Sequence, residues 1–251
     1  MSNPKILIPN FFTGINMLVG MLSIFYSIKG DYVNAGWLIL LSTVMDKLDG
    51  TAARFFKASS SFGVEFDSYS DFVSFGIAPS ILVFTYYLNA VSNVKNDFYI
   101  LVACAFYIIF SAVRLAKYNI SQSDDHDHFY GLTTTMSGGL LSLYMIFAIN
   151  NQIEWLGWLL DVNIVAGMIL FQGILLLVPF KYPKLKKPAS KSGQIMMLLA
   201  FFLYVGLVLI RQLPWFIYIV GVSVVIYGTL KTRQTLSFIA VSDNDPEDGQ
   251  K

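Results

Sequence analysis

The sequence predicts an all-α fold, a polytopic transmembrane helix bundle, and three observations carry that prediction. Of 251 residues, 55% are hydrophobic and only 13% charged, with a mean hydropathy of +0.60; soluble domains carry roughly 25% charged residues. Apolar stretches near the length of a bilayer-crossing helix, about 20 residues, recur along the whole chain. Lys and Arg fall overwhelmingly on one side of those stretches, as they do in membrane proteins.

In chain order the stretches run from Phe11 to Ile28, Val33 to Phe56, Asp67 to Val91, Phe98 to Tyr118, Gly131 to Asn150, Asn163 to Phe180, Ile195 to Ile210 and Trp215 to Leu230, about eight spans. The shortest need their flanks to reach across. One side of the bundle receives Lys5, Arg54, Lys57, Arg114, Lys117, the cluster Lys181, Lys184, Lys186, Lys187 and Lys191, then Lys231, Arg233 and Lys251, while the other receives Lys29, Lys95 and Arg211. The positive-inside rule therefore makes both termini cytoplasmic. The connection from Asn151 to Val162 holds Trp155 and Trp158 but no Lys or Arg, and reads as an interfacial segment on the outer side. Residues 1–235 read as a single membrane-embedded catalytic domain and 236–251 as a polar, disordered tail. No cleavable signal peptide is expected, because the head carries only Lys5 and no small-residue cleavage site follows.

A net charge of +1 says nothing by itself about partners, and only its distribution informs; membrane lipids are expected as partners and nucleic acid is not. The Lys181 to Lys191 cluster suits anionic lipid headgroups. The single Cys104, mid-span among Ala and Phe, reads as a small buried hydrophobe.

Against this apolar background, DKLDGTAARFFKASSSFGVEFDSYSD places four carboxylates at membrane depth, where charges are costly and usually functional. At about 100° per residue, Asp46, Asp49, Gly50, Ala53 and Arg54 share one helical sector, and Gly63, Asp67 and Asp71, four residues apart, share a face of the next helix. Two such helices facing each other bring four acids and one guanidinium together, with Gly50, Ala53 and Gly63 keeping the walls low. Two buried ion pairs, Asp46 with Lys47 and Asp49 with Arg54, do not account for four acids on a stripe with one base. The pattern reads as a divalent-metal site with room for a phosphate. A cation pathway through a transporter explains the acids but not the small residues in register with them. Oxygen-only ligation suits Mg²⁺ or Mn²⁺ over zinc, and His126 and His128 fall in a polar loop.

The spacing D-x2-D-G-x2-A-R-x8-G-x3-D-x3-D, filled by Asp46 through Asp71 without a departure, resembles the signature of the CDP-alcohol phosphotransferase family. The resemblance implies a six-helix membrane core opening to the cytoplasmic leaflet of a bacterial or archaeal plasma membrane, a homodimer, and displacement of CMP from a CDP-linked donor by an alcohol. It further implies that Asp46, Asp49, Asp67 and Asp71 bind Mg²⁺ or Mn²⁺, that Asp71 is the general base, and that Gly50, Ala53, Arg54 and Gly63 lie against the CDP-lipid. Two metal ions can clamp the attacking and leaving oxygens of such a displacement.

PNFFTGINMLVG, GVEFDSYSDFVSFGIAPS, RLAKYNI and FKYPKLKKP, in that order, resemble the phosphatidylserine synthase branch. This implies CDP-diacylglycerol as donor and a small polar alcohol, L-serine, as acceptor, with glycerol 3-phosphate, inositol phosphate or choline as alternatives. The chain departs from the branch at GLTTTMSGG, where Thr133 and Thr135 replace prolines of a Gly-Leu-Pro-x-Pro segment. Arg114 and Lys117 have two readings: snorkelling at the cytoplasmic end of a span, or closing the mouth of the site and pairing with the acceptor's carboxylate or a lipid phosphate. Asn10 and Asn16 either cap and pack the first helix or contact the nucleotide.

Overall fold

The computed structural model describes residues 6–58, 60–90, 94–121, 128–130, 132–150, 158–178, 181–183, 191–211 and 223. Local chemistry sets the helix ends. After α1 (Leu7–Ile28), Gly30 takes a left-handed φ of 82°, and the Asp31 carboxylate accepts the Asn34 N–H at 3.3 Å to start α2 (Tyr32–Phe56). Lys57 closes α2 in the left-handed conformation (φ 48°), and Ala58 N–H returns to Ala53 O at 3.0 Å. Three residues after Lys57, Ser60 caps α3 (Ser61–Asp71) by accepting Gly63 N–H at 3.0 Å. Both halves of the acidic motif thus flank one short reversal.

The chain continues from α3 through a π-helical turn, Phe72–Ile77, into α4 (Ala78–Ala90), then α5 (Val94–Ser121). Thr133 caps α6 (Thr134–Asn150), accepting Met136 N–H at 3.2 Å, and Asp161 caps α7 (Val162–Leu177). Helix α8 spans Lys191–Leu209. The described residues depart from an all-α fold in one place: β1 (His128–Tyr130) pairs antiparallel with β2 (Lys181–Pro183), Phe129 opposite Tyr182. Because α5 and α7 pack together, the segments that follow them are brought side by side.

Three described stretches, Leu7–Ile28, Ser61–Asn89 and Phe98–Ile120, are long and apolar enough to cross a membrane, and Val162–Leu177 and Leu198–Leu209 are shorter apolar helices. Helix α2 carries Asp46, Lys47, Asp49 and Arg54 within its 25 residues, and α6 has 17. The stretch from Trp215 to Leu230, apart from residue 223, lies outside the described residues, as do the tail and Trp155.

Helix α1 packs against α2, α3 and α4; α2 also meets α6, and α5 meets α4 and α7. Phe75, Leu82, Tyr87, Tyr107, Leu141 and Met145 fill the centre. Phe25, Phe106, Ile109, Phe171, Ile174 and Leu203 stay on the outside, the reverse of a soluble protein and the surface a bilayer would cover.

Without a strong hydrophobic force between helices in lipid, close approach at small residues carries the packing. A Cβ on Gly20 would stand 2.8 Å from Ser74 Cα, and one on Gly138 would stand 2.8 Å from Phe75 O. Both glycines therefore clamp the π-helical turn, from α1 and α6. Gly138→Ala should destabilise the detergent-solubilised protein by about 1–3 kcal/mol, lowering its Tm. Gly167→Ala, with nothing within 4 Å, should leave Tm unchanged or raise it; equal Tm values would contradict the clamp.

Candidate active site

Helix α2 presents Asp46 and Asp49, and α3 presents Asp67 and Asp71. Carboxylate oxygens of Asp46, Asp49 and Asp67 lie within 4.8 Å of one another. Helix α1 packs on both α2 and α3 and occupies the corner between them. There Thr13 Oγ1 donates to Asp49 Oδ2 at 3.0 Å, and Ser70 Oγ donates to Thr13 O at 3.0 Å, so one residue ties the two acidic helices together. Asp49 is buried and the other three carboxylates are half-buried.

The guanidinium brought to these acids is not that of Arg54. Arg54 is exposed at the rim, where Nη2 donates to Thr51 Oγ1 at 3.4 Å. Arg114 of α5 is 8% exposed and lies within electrostatic range of Asp71 and Asp46. Its Nη1 donates to Thr134 Oγ1 at 3.1 Å, and its guanidinium sits 5.7 Å from the centroid of the Tyr118 ring. Lys117, one turn on, is exposed.

Whether these residues suit a divalent cation can be tested on their unsatisfied atoms. Asp67 Oδ1 and Asp71 Oδ1 are buried without a hydrogen-bond partner, and so is Arg114 Nε. Buried polar atoms are rarely left unpaired. Two orphaned carboxylate oxygens beside a cluster of three acids are an oxygen-rich donor set, which fits a hard cation such as Mg²⁺ or Mn²⁺. An unpaired Nε fits an anion entering alongside it.

The small residues divide. A Cβ on Gly50 would meet only Arg54 Nη1 and Nη2, at 3.8 and 4.0 Å, so that wall is open. One on Gly63 would press on Ser60 Oγ at 3.1 Å and Asn10 Oδ1 at 3.2 Å, which makes Gly63 a packing glycine at the α3 cap. Ala53 is half-buried on the Gly50 side of α2. Asn16 is fully buried; its carbonyl accepts Ser42 Oγ and Ser74 Oγ, and its side-chain amide has no partner.

Thr133 and Thr135 also have definite places. Thr133 is the α6 cap, and the Thr135 hydroxyl is within hydrogen-bonding reach of Asp46. Sequence reasoning did not single out Thr13 or Thr134. Thr13 stands three residues from both Asn10 and Asn16, a spacing that places a third polar group on that side of α1. Thr134 had no signal beyond its two flanking threonines.

Residues 6–163 match the sequence model for CDP-alcohol phosphatidyltransferase. The chain belongs to that family. A CDP-diacylglycerol–serine O-phosphatidyltransferase of Helicobacter pylori strain J99 is 32% identical over 91% of this chain and 92% of its own length. One from Methanocaldococcus jannaschii is 32% identical over 71% of this chain and 75% of its own length. One from Bacillus subtilis is 36% identical over 46% of this chain and 63% of its own length. The protein is therefore a transferase of phospholipid synthesis, and its long apolar helices agree with a membrane enzyme. The cation-transporter reading has no support in these comparisons.

The Thr13 contact makes a prediction about this family enzyme. A hydrogen bond to a charged group contributes about 1.5–3 kcal/mol, and Thr13→Val removes it at nearly constant volume. The divalent-cation concentration for half-maximal activity should rise about tenfold or more, with the yield of folded protein unchanged. An unchanged metal requirement would show that Thr13 does not orient Asp49.

Proposed function

We propose that this enzyme moves the phosphatidyl group of CDP-diacylglycerol to L-serine and releases CMP, at a site open to the cytoplasmic leaflet. The observation that carries the reading is the convergence of Asp46, Asp49 and Asp67 within 4.8 Å, together with buried carboxylate oxygens on Asp67 and Asp71 that have no hydrogen-bond partner. The relatives' being serine O-phosphatidyltransferases by name favours serine, and the Lys and Arg distribution favours the cytoplasmic side.

In this reading Asp46, Asp49, Asp67 and Asp71 hold Mg²⁺ or Mn²⁺. When bound, the metal neutralises charge developing on the diphosphate. Gly50 and Ala53 leave room for the nucleotide, and Arg54 at the rim offers a planar fork to a phosphate oxygen. Gly63 contributes indirectly, by letting Asn10 close on the α3 cap. Asp71 takes the proton of the serine hydroxyl. The hydroxyl oxygen bonds to the phosphorus bearing the diacylglycerol, the pyrophosphate link to CMP breaks, and CMP departs. Arg114, held by Thr134 and Tyr118, presents its unpaired Nε toward the serine carboxylate, and Lys117 lies at the mouth.

An acceptor panel on the purified protein, with lipid products read by mass and CMP release in parallel, tests this directly. Phosphatidylserine should form with Mg²⁺ or Mn²⁺ and vanish in excess EDTA. Full turnover in EDTA would remove the metal, and a product only from glycerol 3-phosphate, an inositol phosphate or choline would replace serine.

The acceptor assignment yields a second expectation. Arg114→Ala deletes a charge-assisted contact, so the KM for serine should rise about ten- to a hundredfold while that for CDP-diacylglycerol stays nearly constant. The opposite pattern would assign Arg114 to the donor lipid.

A further inference from the structure

The helix that carries Asp67 and Asp71 does not continue regularly. Its next six residues form the π-helical turn Phe72–Ile77, in which Ala78 N–H reaches back to Val73 O. The residue after Ala78 is Pro79, which has no N–H to offer the Phe75 carbonyl one turn back and whose ring crowds that carbonyl. Widening the helix just before the proline relieves the crowding. It also leaves the Phe75 carbonyl in need of a donor, in a place with no room for water: Phe75 is fully buried, and the backbone at Gly138 is so close that a Cβ would lie 2.8 Å from Phe75 O.

Tyr107 of α5 supplies that donor. Its side chain is fully buried, and its single hydroxyl proton is shared between two acceptors, Phe75 O at 3.2 Å and Ser137 Oγ of α6 at 3.0 Å. Ser137 Oγ in turn donates to Gln172 Oε1 of α7 at 3.0 Å. Helices α5, α6 and α7 are thereby joined to the Phe75 carbonyl, one of those for which Pro79 has no N–H to offer. A carbonyl only accepts, so no other orientation of the group satisfies it.

The consequence lies at Asp71, the last residue before the turn. One extra residue in a turn rotates everything before it by about 100° relative to everything after it. The turn therefore fixes the direction in which α3 aims Asp71, while α4 stays anchored in the core. Arg114 lies two turns along α5 from Tyr107, so the same helix sets the carboxylate's cationic neighbour.

We infer that Tyr107 is a positioning residue for the transfer, its hydroxyl holding the wide turn that aims Asp71. The inference rests on the reading of Asp71 as the base. Misplacing a reacting group by about an ångström can cost a hundredfold in rate. In the full-length enzyme, Tyr107→Phe should lower kcat for phosphatidylserine formation about ten- to a hundredfold while the KM values for CDP-diacylglycerol and serine stay within about twofold. In the Asp71→Asn background, Tyr107→Phe should cost nothing further, because both changes remove the same proton acceptor. A residue that only supports the fold would reduce folded protein and Tm, leave kcat per folded enzyme intact, and lower activity independently in both backgrounds; that pattern overturns the inference. Full kcat in Tyr107→Phe beside an inactive Asp71→Asn overturns it alone, whereas full activity in Asp71→Asn overturns the base assignment as well. Should Tyr107→Phe fail to fold, Ser137→Ala decides: it loosens the hydroxyl without orphaning Phe75 O. A severalfold fall in kcat at constant KM supports the inference, and an unchanged kcat overturns it.

Discussion

Four carboxylates converging inside a helical wall, with one buried guanidinium beside them, is the constraint on which this structure depends. Like charges at close range in a poorly solvated site oppose one another, and the exposed Lys47 meets only Asp46 electrostatically while Arg54 turns out to Thr51. The surplus of acid over base is what a divalent cation neutralises, and the family to which the chain belongs is generally metal-dependent. Much of the surrounding architecture holds the acids together. The Lys57 reversal returns α3 beside the C-terminal end of α2, Thr13 bridges the two helices from α1, and Ser68 and Asn119 hydrogen-bond at 3.1 Å to hold α3 against α5.

How much of this could be seen in the sequence depended on distance along the chain. The helices over 7–28, 32–56, 94–121 and 162–177 correspond to apolar stretches in the sequence, and Asp46, Asp49 and Asp67 converge, with Asp71 in electrostatic range, because helical period alone fixes which face a residue occupies. The same period puts Arg54 in the sector of the acids on α2, yet its side chain turns out to Thr51, while Arg114 arrives near the acids from a helix sixty residues further on. Periodicity has no means of reporting which helix packs third. The wedge of α1 between α2 and α3 was hidden likewise, since two motif helices joined by a short turn suggest direct facing. Gly63 looked like part of a ligand wall because it keeps register with the acids, but Ser60 and Asn10 occupy the space beside it. The ribbon between 128–130 and 181–183 joins two segments without a strand pattern, each only three residues long.

Pro79 shows a signal that was present but spoke to something else. In an apolar run it looks like a tolerated interruption of a span, and membrane helices do accept proline where neighbours satisfy the freed carbonyl. The neighbour here is a tyrosine whose hydroxyl also contacts a second helix, so the local defect becomes a joint between α3, α5 and α6. Gly20 and Gly138 press on the same turn from two sides, which leaves it little freedom. A site that must aim a carboxylate gains more from such an over-determined turn than from a regular helix, whose rotation is set only by side-chain packing along its length.

The threonines that replace the prolines of the phosphatidylserine synthase branch can be understood in the same terms. Proline is tolerated in the first turn of a helix because its missing N–H has no helical partner there, and this segment is the first turn of α6. Threonine meets the same requirement by a different route: the Thr133 hydroxyl accepts the Met136 N–H as a cap. What threonine adds is hydrogen bonding that proline lacks. Thr135 brings a hydroxyl within reach of Asp46, and its neighbour Thr134 accepts a bond from Arg114, so two adjacent residues engage the acid cluster and its cation at once. The departure therefore keeps the helix start that proline would provide and ties α6 to the site, which makes it compatible with the chemistry of the family.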